Sequence, residues 1–130
     1  MRHRELRQQN IDNWTRNLVV SPPTRWWVAE REAQLVGFVG IGPSRDPIDP
    51  NLGELHTIAI DPPHWRTGAG RELMSVAVET LEQDGYPEAI LWTLENYPMG
   101  QHFYEATGWS RDGGARDNGT KIRYRINLER

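Results

Sequence analysis

The stretch DPPHWRTGAGRELM, residues 61–74, decides how the rest of the chain is read. Before it, LGELHTIAI (52–60) reads as a strand. After it, a helix is expected from about Gly68 to Asp84, with Leu73, Ala77 and Leu81 on one face and Gly70 and Met74 beside them. Two glycines one residue apart therefore stand where a strand hands over to a helix. Such a turn can be a plain connection. It can also cradle phosphates, because the first turn of a helix presents unpaired N–H groups and a positive dipole end. A nucleotide P-loop requires a lysine and a Ser/Thr after its last glycine, but Arg71 and Glu72 stand there. A dinucleotide fingerprint requires a further glycine where Leu73 sits. What remains is a row of amides over 66–71 flanked by Arg66 and Arg71, which a pyrophosphate would suit.

Outward from this turn, RWWVAERE (25–32) and QLVGFVGIG (34–42) read as two strands joined by a tight turn near Glu32–Gln34. GPSRDPIDPN (42–51) reads as a loop dense in Pro, Asp and Ser. EAILWTL (88–94) is a strand, Pro98 to Thr107 a short helix, and a strand from Trp109 leads into a GGARDNG loop. KIRYRINL then alternates Ile122, Tyr124, Ile126 and Leu128 on one face. Residues 4–18 carry Leu6, Ile11, Trp14 and Leu18 at ragged helical spacing, and SPPT (21–24) breaks that segment. The order predicts an α+β fold with a mixed sheet, in which strands 52–60 and 88–94, separated by a helix, run parallel.

At 130 residues the chain reads as a single domain over 1–130. Its net charge of −3 gives no broad electrostatic case for nucleic acid or an anionic membrane. Cysteine is absent, which removes thiolate catalysis and cysteine-ligated metals. His3, His56, His64 and His102 have no ligand spacing, so no metal site is expected. With a polar N-terminus and no run of 18 apolar residues, the reading is a cytoplasmic protein.

LWTLENYPMGQHFYEATGW (91–109), following the glycine turn at this distance, makes the pair of motifs specific. The sequence resembles the GCN5-related N-acetyltransferase (GNAT) superfamily from about residue 25 to the C-terminus. It does so through W-x-x-G-x-G (Trp65 to Gly70), Phe103-Tyr104-Glu105 followed by Gly108-Trp109, and the stretches GFVGIGPSRD and GELHTIAIDP. The resemblance implies a GNAT-like acyl-CoA N-acyltransferase fold and transfer of the acetyl group of acetyl-CoA to a primary amine, of a small molecule or a peptide. It places the pyrophosphate on Trp65, Arg66, Thr67, Gly68, Ala69, Gly70 and Arg71, and the pantetheine along the backbone of Ile58, Ala59 and Ile60. Glu54 matches the family's general base, and alternation along the strand puts His56 on the same side, so either could take the amine proton. Tyr104 matches a tyrosine that protonates the leaving thiolate.

This chain departs from the family pattern in three places. Trp65 replaces the usual Gln/Arg. Tyr97 stands where an asparagine is common, with Asn96 beside it as the candidate contact. The usual first strand is lacking, which would leave 25–32 as a bare aromatic sheet edge and motivates a homodimer. The alternative to an enzyme is a non-catalytic acyl-CoA-binding or regulatory module.

Overall fold

The computed structural model describes residues 2–6 and 24–129. The elements are β1 (Arg2–Leu6), β2 (Arg25–Arg31), β3 (Gln34–Arg45), β4 (Ile48–Ile60), α1 (Ala69–Gln83), β5 (Glu88–Leu94), α2 (Pro98–Ala106), β6 (Ser110–Arg116) and β7 (Lys121–Asn127). They form one seven-stranded sheet in the order β1-β2-β3-β4-β5-β7-β6. All neighbours are antiparallel except β4 and β5, which are parallel as their separation by a helix requires.

Several expectations are corrected. The first strand is not lacking: Arg2–Leu6 pairs antiparallel along Trp26–Glu30, so the edge expected to be bare is paired, and the ground given for a homodimer falls away. The helix expected over 4–18 begins instead in β1, and its remainder lies outside the described residues. The stretch 42–51 is not an open loop. β3 continues to Arg45 and returns at Ile48 through a cis Asp46–Pro47 peptide, giving a tight hairpin. The GGARDNG loop is likewise shorter than expected, because β6 runs to Arg116 and only residues 117–120 turn. In both places runs of turn-forming residues are overridden by main-chain pairing with the neighbouring strand.

The hairpin between β2 and β3 turns on Glu32 and Ala33, whose φ values of 53° and 65° are those of a primed turn that matches strand twist. α1 buries Ala69, Leu73, Ala77 and Leu81 at four-residue intervals, with Met74 beside them. Together with Val39, Ile41, Leu55, Leu91 and Tyr124 from the sheet, they form the main core. Gly53 is part of this packing: a Cβ there would lie 2.8 Å from Leu81 Cδ2.

Two irregularities shape the centre of the sheet. The parallel pairing of β4 with β5 covers only Leu52–Glu54 against Glu88–Ile90, and from there β5 continues along β7 while β4 continues along β3. The strands fork after Glu54 and Ile90. In addition, Gly40 pairs with Thr57 and Ile41 with Leu55, so His56 is an extra residue and β4 bulges there.

Candidate active site

A cleft of about 1050 Å³ lies between the end of β4, the start of α1 and α2. That volume sits at the upper end for small-molecule sites. Its lining includes four basic side chains, His64, Arg66, Arg71 and His102, and among the described residues no acidic one. Gly68 is the cap residue just before α1; its φ of 92° is left-handed and its flank is open, with nothing within 4 Å of an added Cβ. No side chain caps this helix start among the described residues, so its first-turn amides are open to an anion. Gly70 is constrained differently: a Cβ there would stand 3.3 Å from the Phe103 ring. Arg66 is also left-handed, with a φ of 63°.

The end of β4 contributes main chain to the cleft. The Asp61 N–H donates to the Val36 carbonyl at 2.8 Å. With Ile60 opposite Gly37, Ala59 opposite Phe38 and Ile58 opposite Val39, antiparallel alternation directs the N–H and C=O of Ile58 and Ile60 away from β3, into the fork. Ala59 spends its main-chain groups on β3. The fork thus exposes a short stretch of strand edge with no strand beside it, leading to an uncapped helix start.

Tyr104 projects from α2 into the same cleft. Burial first, then the nearby Tyr97 phenol, push its pKa up, while a hydrogen bond with the buried Thr93 hydroxyl pulls it down. The net shift is upward, so the phenol keeps its proton across the neutral range. Tyr97 lines the cleft beside it and lies over Gly100, where an added Cβ would fall 2.5 Å from the ring.

Glu54 and His56 lie elsewhere. Gly53 and Leu55 pack toward α1, so Glu54 between them faces the opposite side of the sheet. It is 2 % exposed. Its Oε1 accepts from the Arg45 main-chain N–H at 2.8 Å, and its Oε2 accepts from the Arg45 guanidinium at 3.0 Å. β4 bulges at His56, so alternation alone does not fix which side its ring takes, and both Glu54 and Arg45 lie near enough for their charges to act on it. His56 Nε2 donates to the Pro43 carbonyl at 3.2 Å, and Nδ1, left as the acceptor, lies 3.5 Å from the Thr24 hydroxyl. Burial lowers the His56 pKa below its ordinary 6.5, as does nearby Arg45, against the opposing effects of the Pro43 bond and Glu54.

Ile58, Ala59, Ile60, Trp65, Arg66, Gly68, Gly70, Arg71 and Tyr104 thus share one cleft. Thr67 does not line it, its hydroxyl donating to the His64 carbonyl, and Ala69 is buried beneath. Asn96 is exposed outside the lining, where Tyr97 stands instead. Sequence reasoning passed over Thr93, Met99 and Gly100, and weighed His64 and His102 only as metal ligands. Gly100 carried a usable signal, since a glycine inside a short helix needs a packing reason.

The acetyltransferase (GNAT) family matches residues 2–109 of the chain. The N-acetyltransferase YuaI of Bacillus subtilis (strain 168) is 33% identical over 89 residues, covering 68% of this chain and 50% of that protein. The curated relatives that head the comparison are longer, and the chain spans two fifths to one half of their length. Among solved structures, nourseothricin acetyltransferase superposes with a TM-score of 0.70 at 24% identity, over 83% of this chain and 67% of that one. The PaiA N-acetyltransferase of Thermoplasma acidophilum in complex with coenzyme A does so with a TM-score of 0.69 at 19% identity, over 80% and 60%. These likenesses show the fold, and the match over residues 2–109 shows the lineage: the chain belongs to the GNAT family of acetyltransferases.

Proposed function

We propose that this protein transfers the acetyl group of acetyl-CoA to a primary amine of a small molecule or peptide. The observation that carries the reading is the edge of β4, with no strand beside it, running into an uncapped, arginine-flanked helix start within one cleft that holds no acidic side chain among the described residues. A pantetheine arm suits the first, as a surrogate strand, and a diphosphate suits the second. The solved relative that holds coenzyme A has this fold.

In the transfer, the amine lone pair forms a C–N bond at the thioester carbonyl and the C–S bond breaks, its electron pair leaving on sulfur. Tyr104 supplies a proton to that sulfur; its raised pKa keeps it protonated beforehand. His56 accepts the amine proton. It is neutral at pH 7, whereas both Glu54 oxygens are engaged by Arg45. Glu54 then anchors Arg45 at the mouth of the fork, on the face opposite the cleft, from which an acceptor can approach the thioester.

The clasp on Glu54 also favours a second reading, a binding module without turnover. The experiment has two stages. First, thermal unfolding is followed with acetyl-CoA in the wild type and in Gly70→Glu. At one hundred times its dissociation constant a ligand adds about 2.7 kcal/mol, a shift of several degrees, which the variant should lose. No shift in the folded wild type refutes coenzyme binding. Thiol release over a panel of amines then separates catalysis from binding alone.

A further inference from the structure

The carbonyl of Ile60 points into the fork, and it is already occupied: the Trp65 indole N–H donates to it at 2.8 Å. Trp65 lines the cleft and is 44 % exposed, so its ring lies at the mouth and not in the core. Between the two residues the chain makes a single 3₁₀ turn, Pro62–His64, in which the His64 and Trp65 amides bond back to Asp61 and Pro62. The proline pair and these bonds fix the turn, so the indole reaches back five residues to the end of the strand it follows. The same residue opens the turn whose amides lead into α1.

We propose that Trp65 is a positioning residue that ends the pairing edge of β4. By holding the Ile60 carbonyl it leaves the main chain of Ile58 and the Ile60 N–H as the pairing site for a strand-like ligand, and it turns the rest of that ligand off the strand toward the amides of residues 66–70. This rests on the coenzyme reading above and adds a register to it. A ligand that both pairs with the strand and reaches the helix start needs its two parts in one register. Were the Ile60 carbonyl open, the arm could pair one step further along, carrying the thioester past Tyr104. A ligand without the diphosphate has no second anchor and is insensitive to that choice.

The first test uses the unaltered protein with its carbonyl carbons and indole nitrogens labelled for NMR. Titration with CoA is expected to move the Ile58 carbonyl resonance and to leave those of the Ile60 carbonyl and the Trp65 indole in place. Movement of the Ile60 carbonyl equal to that of Ile58, or loss of the indole hydrogen bond, overturns the proposal. If CoA moves none of them and adds no thermal stability, the coenzyme reading itself has failed, and this proposal with it. The second test is Trp65→Phe, which keeps a ring and removes the donor. CoA affinity by calorimetry should fall about five- to tenfold, the scale of one hydrogen bond, while pantetheine affinity stays within about twofold. Equal losses for CoA and pantetheine, or none for either, refute a role in register. Should the variant fail to fold, the carbonyl titration decides alone.

Discussion

Gly68 offers the sharpest perturbation, because its backbone demand and its surroundings can be changed separately. Its φ of 92° disfavours any residue with a Cβ, yet nothing lies within 4 Å of where that atom would go. Gly68→Ala should therefore cost only conformational strain, about 1–2 kcal/mol, lowering the melting temperature by roughly 3–8 °C. Gly68→Asn fits the left-handed region better and should recover much of that loss. The open space beside Gly68 is, in the proposed function, the space of the diphosphate. Asparagine fills more of it than alanine does, and displacing an anion from one or two amides at about 1.5–3 kcal/mol each costs on the order of 100-fold in affinity. The two variants should thus rank in opposite orders, alanine worse in a melting experiment and asparagine worse in a calorimetric titration with CoA. If Gly68→Asn binds CoA as the wild type does, the diphosphate does not lie on the start of α1, and the assignment of this cleft is wrong.

Tyr104→Phe should leave CoA binding within about threefold while lowering kcat by two orders of magnitude or more, the scale of a general acid; a kcat within threefold of wild type removes Tyr104 from the chemistry. His56 is disfavoured as a cation in the fold, so at low pH the unfolded chain takes up a proton that the folded chain resists. Its contribution to stability is therefore whole above pH 6.5 and is lost as pH falls through the lowered folded value, and His56→Gln should flatten that part of the melting profile. The acidic limb of kcat/KM should likewise lie below pH 6.5 and vanish in the same variant; a limb that persists points back to Glu54. Leu81→Ala, at a fully buried position beneath Gly53, should cost about 2–5 kcal/mol in urea unfolding. A loss under 1 kcal/mol would mean that this end of α1 is not packed on β4.

The elements that were legible in the sequence are those whose pattern and boundaries have local causes. β5 is legible at Glu88–Leu94, the bounds it has, because Pro87 precedes a run without Gly or Pro whose centre is apolar. α1 is legible to within a residue because Gly68 and Gly85 bracket it, both with φ of 92°. What failed depended on partners distant in sequence. Prolines and aspartates suggested a loop over 42–51, while pairing of Pro43 with Gly53 and Ser44 with Asp49 draws the segment into a hairpin. Arg2–Leu6 has no alternation that reads as a strand, and the neighbouring strand supplies what the local pattern lacks. At the cleft, the glycine turn was legible because glycine spacing is a backbone signal. The bulge at His56 was not, since an extra residue leaves no mark on side-chain chemistry, and neither could sequence show that Arg45 holds Glu54.

The fork itself explains why a turn, a strand end and a tyrosine so far apart in sequence line one cleft. A sheet gains by continuing its hydrogen-bond ladder, yet here β4 and β5 part after three residue pairs, each staying with its antiparallel neighbour. An unpaired main-chain group shut away from water costs about 1–3 kcal/mol, whereas one that can meet solvent or a ligand does not bear that cost. The open cleft meets this condition for Ile58, and Trp65 meets it for Ile60 with a donor from the chain itself. The gap between the strands can then persist without a ligand, already shaped for an extended one. In the proposed function, binding need not separate paired strands, so more of the interaction energy is left for holding the thioester between Tyr104 on one face and the side of the sheet that carries Glu54 on the other.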